Sequence, residues 1–252
     1  MWTSKQQQAL DHLAATPSLL VVSDFDGTLA GFSHDAMQVP VNHVAMAALQ
    51  QLTSLPSTRV ALLSGRDVQG LIQVSGAAAP MIVAGSHGAE SAEGGLVLNE
   101  DQQAALSAVT AALEEIATSV PGAFVEHKPY HRVLHVIRVA DKQRARAALD
   151  RTLALEIPGA KIAEGKWIAE ASVVDFTKGT WIKAAQEQYR PSATLFLGDD
   201  TTDENGFAVL GRNDVGIKVG AGDTCATVRL ESIDRVGQFL SSLADARSAE
   251  QQ

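Results

Sequence analysis

Asp24 and Asp26 stand two residues apart in the run Asp24-Phe25-Asp26-Gly27-Thr28-Leu29, directly after the apolar stretch LLVVS. Two carboxylates this close repel unless something offsets their charge, and a divalent cation is the simplest answer. Oxygen ligands suit Mg²⁺, which binds through one or two carboxylates together with a substrate phosphate. Aspartate and glycine are also common turn formers, so the pair alone is weak evidence. Its place is stronger evidence, because open parallel sheets bind ligands beyond the carboxyl ends of their strands.

Three further clusters follow apolar runs or open helices. Ser64-Gly65-Arg66 comes after RVALL. Its hydroxyl suits a phosphoryl oxygen, or equally a helix cap with Arg66 in solvent. Lys178-Gly179 opens a helical stretch. A lysine there can neutralise a phosphoryl group and hold two aspartates together, or simply be solvated. Gly198-Asp199-Asp200-Thr201-Thr202-Asp203-Glu204 comes after TLFL. A helix N-terminus accounts for Asp203 and Glu204. A metal shared with Asp24 accounts for Asp199 as well. The four clusters together supply what phosphoryl transfer needs, which is mostly positioning and charge neutralisation.

The elements that must position these residues read as a parallel sheet with crossover helices. Strands are expected over 19–25, 59–63, 81–84, 194–198 and 215–219, with helices over 41–55, 68–74, 179–189, 203–210 and 234–246. Between them lies a different pattern: a hairpin turn at Glu93-Gly94-Gly95, helices over 100–119 and 140–155, and strands over 123–128, 133–139, 161–164 and 167–174. The fold class is therefore α/β. A Rossmann-like parallel-sheet core spans 1–90 and 178–252 and is interrupted by an inserted α+β domain over 91–177.

Composition narrows the partners. The chain has 252 residues, 46% hydrophobic and 19% charged, too apolar for a disordered chain. A net charge of −9 disfavours nucleic acid and anionic membranes, and it requires local cations if the substrate is a phosphate. A single cysteine, Cys225, rules out an intrachain disulfide and fits a reducing compartment. The first residues are polar, without a signal-type apolar segment, and no run is long enough to span a bilayer. The expectation is a soluble, cytoplasmic protein.

In this order, the four clusters resemble the haloacid dehalogenase superfamily of phosphatases, with the insertion placed as in members carrying a C2-type cap. Within that superfamily the chain resembles the trehalose-6-phosphate phosphatases over about 20–219. The residues responsible are Gly85-Ser86-His87-Gly88-Ala89-Glu90, Glu126-His127-Lys128, Glu164-Gly165-Lys166 with Glu170, and the run from Leu197 to Glu204. Two stretches depart from the family pattern. His135-Val136-Ile137 stands where the family has His-Tyr-Arg, with Arg138 one place late, which on a strand means the opposite face. Ala171-Ser172-Val173 replaces an apolar residue, a basic residue and proline.

The resemblance implies specific roles. Asp24 attacks phosphorus and becomes an aspartyl phosphate. Asp26 protonates the leaving oxygen and then activates water. Mg²⁺ is held by Asp24, Asp199 and the backbone carbonyl of Asp26, supported by Asp200 or Asp203. Ser64 and Lys178 hold phosphoryl oxygens. Arg66 and His87 line the substrate site, beneath a cap that opens and closes. Glu126, Lys128, Lys166 and Glu170 read sugar hydroxyls, and Trp167 is a candidate for stacking on a sugar ring. Residues two or four apart on a strand share a face, so Glu126 pairs with Lys128 and Lys166 with Glu170. Without the resemblance these four read equally as solvated salt bridges. The implied substrate is trehalose 6-phosphate. The alternatives are sucrose phosphate, a glycosyl-phosphoglycerate or a hexose phosphate, or an inactive regulatory module, which predicts loss of at least one catalytic residue although Asp24, Asp26, Ser64, Lys178 and Asp199 are all present.

Overall fold

Leu19–Ser23 is buried along its whole length, as a strand covered on both faces of a parallel sheet must be. The computed structural model describes residues 1–33, 35–91 and 97–250. A capping box between Thr3 and Gln6 starts α1 (Ser4–Ala15). Then come β1 (Leu19–Ser23), α2 (His43–Thr53), β2 (Thr58–Leu63), α3 (Val68–Ser75), β3 (Ile82–Gly85) and β4 (Glu90–Ser91). The middle of the chain forms α4 (Glu100–Thr118), β5 (Phe124–His127), β6 (His131–His135), α5 (Lys142–Leu153), β7 (Lys161–Gly165) and β8 (Ile168–Ser172). The rest forms α6 (Lys178–Tyr189), β9 (Ala193–Gly198), α7 (Thr201–Phe207), β10 (Val215–Val219), β11 (Val228–Leu230) and α8 (Ile233–Glu250). The chain divides into two units, one of Met1–Gly95 with Phe176–Gln252 and one of Leu96–Asp175.

The first unit is built on a seven-stranded sheet in the order β11-β10-β9-β1-β2-β3-β4, parallel except for β4. Val21 of β1 is in register with Val60 of β2 and Leu195 of β9. The chain winds outward from β1 to β3 and later from β9 to β11, so the connections diverge between β1 and β9. A binding crevice belongs beyond the carboxyl ends of those two strands. Alternation sends successive residues to opposite layers. Leu19, Val21, Leu62, Leu195 and Ile217 pack with Leu49, Phe239 and Leu243 on one side. Leu20, Val22, Leu63 and Phe196 pack with Ile182 and Phe207 on the other.

Arg247 is a buried cation within this unit, 0% exposed, and burial lowers its pKa. Its Nη1 donates to the carbonyls of Leu13 and Thr16 (2.8 Å each) and of Ala14 (3.2 Å), and its Nε to Thr58 Oγ1 (3.1 Å). It thereby ties α8 to the carboxyl end of α1. Arg247→Met should destabilise the protein by about 2–4 kcal/mol, since buried carbonyls would lose their donors. A urea unfolding curve measures this, and a change below about 0.5 kcal/mol, the level of an ordinary surface substitution, would contradict it.

The second unit is an antiparallel sheet in the order β5-β6-β8-β7. Helix α4 packs on β5 and β6, and α5 on β7 and β8. Val133 is in register with Glu126 of β5 and Glu170 of β8, which puts both carboxylates in one row on one face.

Several expected bounds change. The strand expected over 133–139 stops at His135. Val136 N–H turns to the carbonyl of Trp167 (3.0 Å), and Val139 N–H closes a turn on Val136 (3.0 Å). Arg138 therefore lies in a turn, 4.7 Å from the Phe124 ring centroid, and strand parity does not apply to it. Lys166 is likewise in the turn between β7 and β8, beside Trp167 at φ +62°, so its expected shared face with Glu170 does not follow. Helix α7 starts at Thr201 rather than 203, because Asp200 and Asp203 form its capping box. The hairpin turn expected at Glu93-Gly94-Gly95 lies outside the described residues. Among the described residues no helix is long and apolar enough to cross a membrane.

Candidate active site

Asp24 continues β1 by one residue, with its N–H on the Leu197 carbonyl of β9 (2.9 Å). Its side chain therefore starts at the crevice between the two strands. It is 5% exposed. Thr177 caps α6, and Lys178 is that helix's first residue. Lys178 Nζ donates to Asp24 Oδ1 and to Asp203 Oδ1, both at 2.6 Å. The other Asp203 oxygen accepts the N–H groups of Asp199 and Asp200, both at 2.9 Å. Thr28 Oγ1 lies 3.1 Å from Asp24 Oδ2 and 3.3 Å from Asp199 Oδ1, so one hydroxyl bridges two carboxylates.

The packing admits few other residues. A Cβ at Gly27 would fall 2.1–2.4 Å from the Asp199 carboxylate, and Gly27 has φ +87°. A Cβ at Gly198 would fall 2.3 Å from Asp203 Cγ. Gly27→Ala should displace Asp199 and weaken divalent-cation affinity by about 10–100-fold, the usual loss when a ligand's support is disturbed. A cation titration of the variant reads this directly, and unchanged affinity would contradict it.

The charges do not balance. Burial drives the Asp24 pKa up to about 8, and the neighbouring Asp203 and Asp199 add to this against the lowering effect of Lys178. Asp199 is also raised, by burial first and then by Asp203. Burial disfavours the Lys178 charge, yet Asp24 and Asp203 outweigh it and its pKa rises. Ligand oxygens of Asp24, Asp199 and Asp203 all lie within 4.8 Å of one another. Such crowding of hard oxygen donors fits a divalent cation. Asp203 spends its oxygens on Lys178 and two backbone amides, so it serves by holding Asp199 and Lys178 in place. Asp200 caps α7 through the Thr201 N–H (2.6 Å).

The remaining expected residues fall into two groups. Asp26 takes both arms of Arg66, Nε to Oδ2 at 2.6 Å and Nη2 to Oδ1 at 2.7 Å. Ser64 is 1% exposed and accepts the Arg66 N–H (3.2 Å). Its carbonyl accepts the His87 N–H (2.9 Å). Ser86 and His87 both have left-handed backbone, φ +48° and +56°, an expensive conformation that clusters at functional sites. The His87 ring rests on Gly65, where a Cβ would lie 2.8 Å away.

In the second unit, Glu126 Oε2 is 2.8 Å from His135 Nε2, and this bond lowers the Glu126 pKa. Glu170 Oε1 is 3.0 Å from His131 Nδ1. Lys128 sits just beyond β5, its N–H on the His131 carbonyl (3.1 Å), and Lys166 is exposed. The Trp167 ring is covered by Lys142 Nζ, 4.7 Å from its centroid.

Thr28 and Lys218 are the residues that sequence reasoning missed. Lys218 is 5% exposed, and its Nζ donates to the Asp199 carbonyl. The signal was a lysine inside the otherwise apolar strand VGIKV, since a buried charge needs a partner.

The trehalose-phosphatase family model matches residues 22–233. The trehalose-phosphate phosphatase of Mycobacterium ulcerans is 34% identical over 249 residues, covering 92% of this chain. The chain spans only 63% of that relative's length. The trehalose-6-phosphate phosphatase of Escherichia coli is 30% identical over 88% of this chain and 85% of its own. Among solved structures, the C-terminal domain of the Candida albicans trehalose-6-phosphate phosphatase has a TM-score of 0.78 at 20% identity, covering 95% of this chain and 96% of its own. The fold is thus the α/β haloacid dehalogenase type, and the chain belongs to the trehalose-phosphatase family.

Proposed function

We propose that this member of the trehalose-phosphatase family hydrolyses trehalose 6-phosphate to trehalose and phosphate. One observation carries the reading: Asp24, buried and crowded with Asp199 and Asp203 around Lys178, lies where the sheet's connections diverge. A carboxylate so placed is a nucleophile held against a site for a charged ester.

In the proposed reaction an Asp24 oxygen bonds to phosphorus as the bond from phosphorus to the sugar oxygen breaks. Asp26 gives that oxygen a proton, and trehalose leaves. Water then attacks the aspartyl phosphate, Asp26 takes back a proton, and phosphate departs with Asp24 restored. Ser64 and Lys178 hold phosphoryl oxygens. Asp24, Asp199 and the backbone carbonyl of Asp26 would hold Mg²⁺, which neutralises phosphoryl charge when bound. Glu126, Lys128, Lys166 and Glu170, from the inserted domain, would read sugar hydroxyls. Arg66 and His87 belong to the same substrate environment. The single cysteine supports a cytoplasmic setting.

Phosphate release from trehalose 6-phosphate, with Mg²⁺ and with a chelator, tests the proposal. Sucrose 6-phosphate and glucose 6-phosphate serve as competing substrates. A preference for either would move the assignment to another sugar phosphate. No release from any of them would leave a regulatory module. Glu126→Ala and Glu170→Ala should each lower kcat/KM for trehalose 6-phosphate by about 10-fold or more, the loss of a charged hydrogen bond. Both should leave hydrolysis of p-nitrophenyl phosphate within about twofold, well under the tenfold that 1.4 kcal/mol represents. Unchanged kinetics in both variants would remove these carboxylates from recognition.

A further inference from the structure

Arg66 has the reach and charge of a substrate ligand, yet all three of its nitrogens already donate inside the first unit. Nε and Nη2 form a two-pronged pair with Asp26, and Nη1 donates to the carbonyl of Ala36 (2.6 Å). The Arg66 and Asp26 side chains are only 15% and 27% exposed. Ala36 lies in a turn with its own bonds. The Gln38 N–H donates to the Asp35 carbonyl (3.0 Å), the Met37 N–H to Asp35 Oδ1 (2.9 Å), and the Gln38 side chain to Asp35 Oδ2 (3.0 Å). Residues 35–38 therefore behave as one piece. Phe32 and Met37, on the same stretch, are large apolar side chains left exposed.

A planar guanidinium holds direction as well as distance, because its donors form a fixed fork. We infer that Arg66 is a positioning residue. It sets the orientation of the Asp26 carboxylate and ties it to the turn at 35–38, so that the turn and Asp26 move together. The inference rests on the proposed role of Asp26 in moving the leaving-group proton. A phosphate claiming the Nε and Nη2 edge would have to displace Asp26 from it, which argues against a two-pronged substrate contact on that edge.

The test uses the full chain with Mg²⁺ and compares Arg66→Lys, Arg66→Met and Arg66→Ala. For trehalose 6-phosphate, kcat should fall about 10–100-fold while KM stays within about threefold, as expected for lost orientation rather than lost binding. The loss should be smaller with p-nitrophenyl phosphate, whose leaving group departs without a proton. Methylguanidinium should restore part of kcat to Arg66→Ala. The amides of Met37 and Gln38 should exchange with deuterium faster in Arg66→Met. Arg66→Lys keeps the charge and guards against a misfolded variant. A large rise in KM with kcat preserved would make Arg66 a substrate ligand and overturn the inference. So would unchanged exchange at 35–38. If the wild-type chain hydrolyses neither ester, the proposed function fails, and the exchange measurement still decides whether Arg66 ties the turn.

Discussion

Asp24→Asn should lower phosphate release by about a thousandfold or more while leaving the chain folded. Asparagine keeps the shape of the side chain and removes the attacking oxygen. Removing a nucleophile outright is among the largest single-residue losses known in enzymes, so the remaining rate reflects little more than binding. The same change should also make the cation-free protein less sensitive to pH. The Asp24 pKa is raised from 3.8 to about 8, so between those values the folded chain holds a proton that the unfolded chain has released. That contribution to stability is complete below pH 3.8 and disappears as pH rises through about 8. Asparagine mimics the protonated form at every pH. In chelator, thermal unfolding of the wild type should weaken from pH 6 to 9 more than that of Asp24→Asn, on the linkage argument. Added Mg²⁺ should stabilise the wild type more than the variant. A variant with near-normal turnover would remove Asp24 as the nucleophile.

Lys178→Met should be the most destabilising change in the site. The ammonium is 2% exposed and bonded to two carboxylates, and Asp203 is itself 0% exposed. Removing the cation strands the buried Asp203 carboxylate, for which about 3–5 kcal/mol is the usual loss. Asp203 would also lose the partner that orients it toward the Asp199 and Asp200 amides. Urea unfolding in chelator measures the effect, and Mg²⁺ should recover part of it by supplying positive charge. If Lys178→Met unfolds at the wild-type midpoint, the buried triad does not hold the site together.

The sheet was legible because its strands are short apolar runs that end in chemistry-bearing residues. The bounds of β10 match the expected 215–219. Asp24, Ser64 and Asp199 stand out in the sequence because each follows such a run. What escaped depends on partners distant in sequence. Arg66 was read as solvated or substrate-facing, and only the fold brings it to Asp26. Lys218 was passed over as part of a strand, and only the neighbouring β9 shows that it holds the Asp199 carbonyl. Helix α1 was hidden by its polar composition, since it buries mainly small or modest side chains such as Ala9, Leu10 and Leu13. Strand β11, three residues long, is too short to carry a periodic signal. Parity arguments failed at residues that lie in turns, at Arg138 beyond the early end of β6 and at Lys166 between β7 and β8.

The order in which the sheet's strands leave the ribosome differs from their order in space. β1 needs two neighbours. Leu19 pairs with Thr58 soon after synthesis, but its other partner, Ala193, emerges only after the whole second unit. Until then the apolar run Leu19–Ser23 has one open edge, and Asp24 lacks the Leu197 carbonyl that anchors it. Non-local parallel pairing of this kind folds slowly and leaves an edge open to association with other chains. The nascent protein should therefore depend on chaperones until β9 arrives, and a pause in translation before that strand would lengthen its exposure to aggregation.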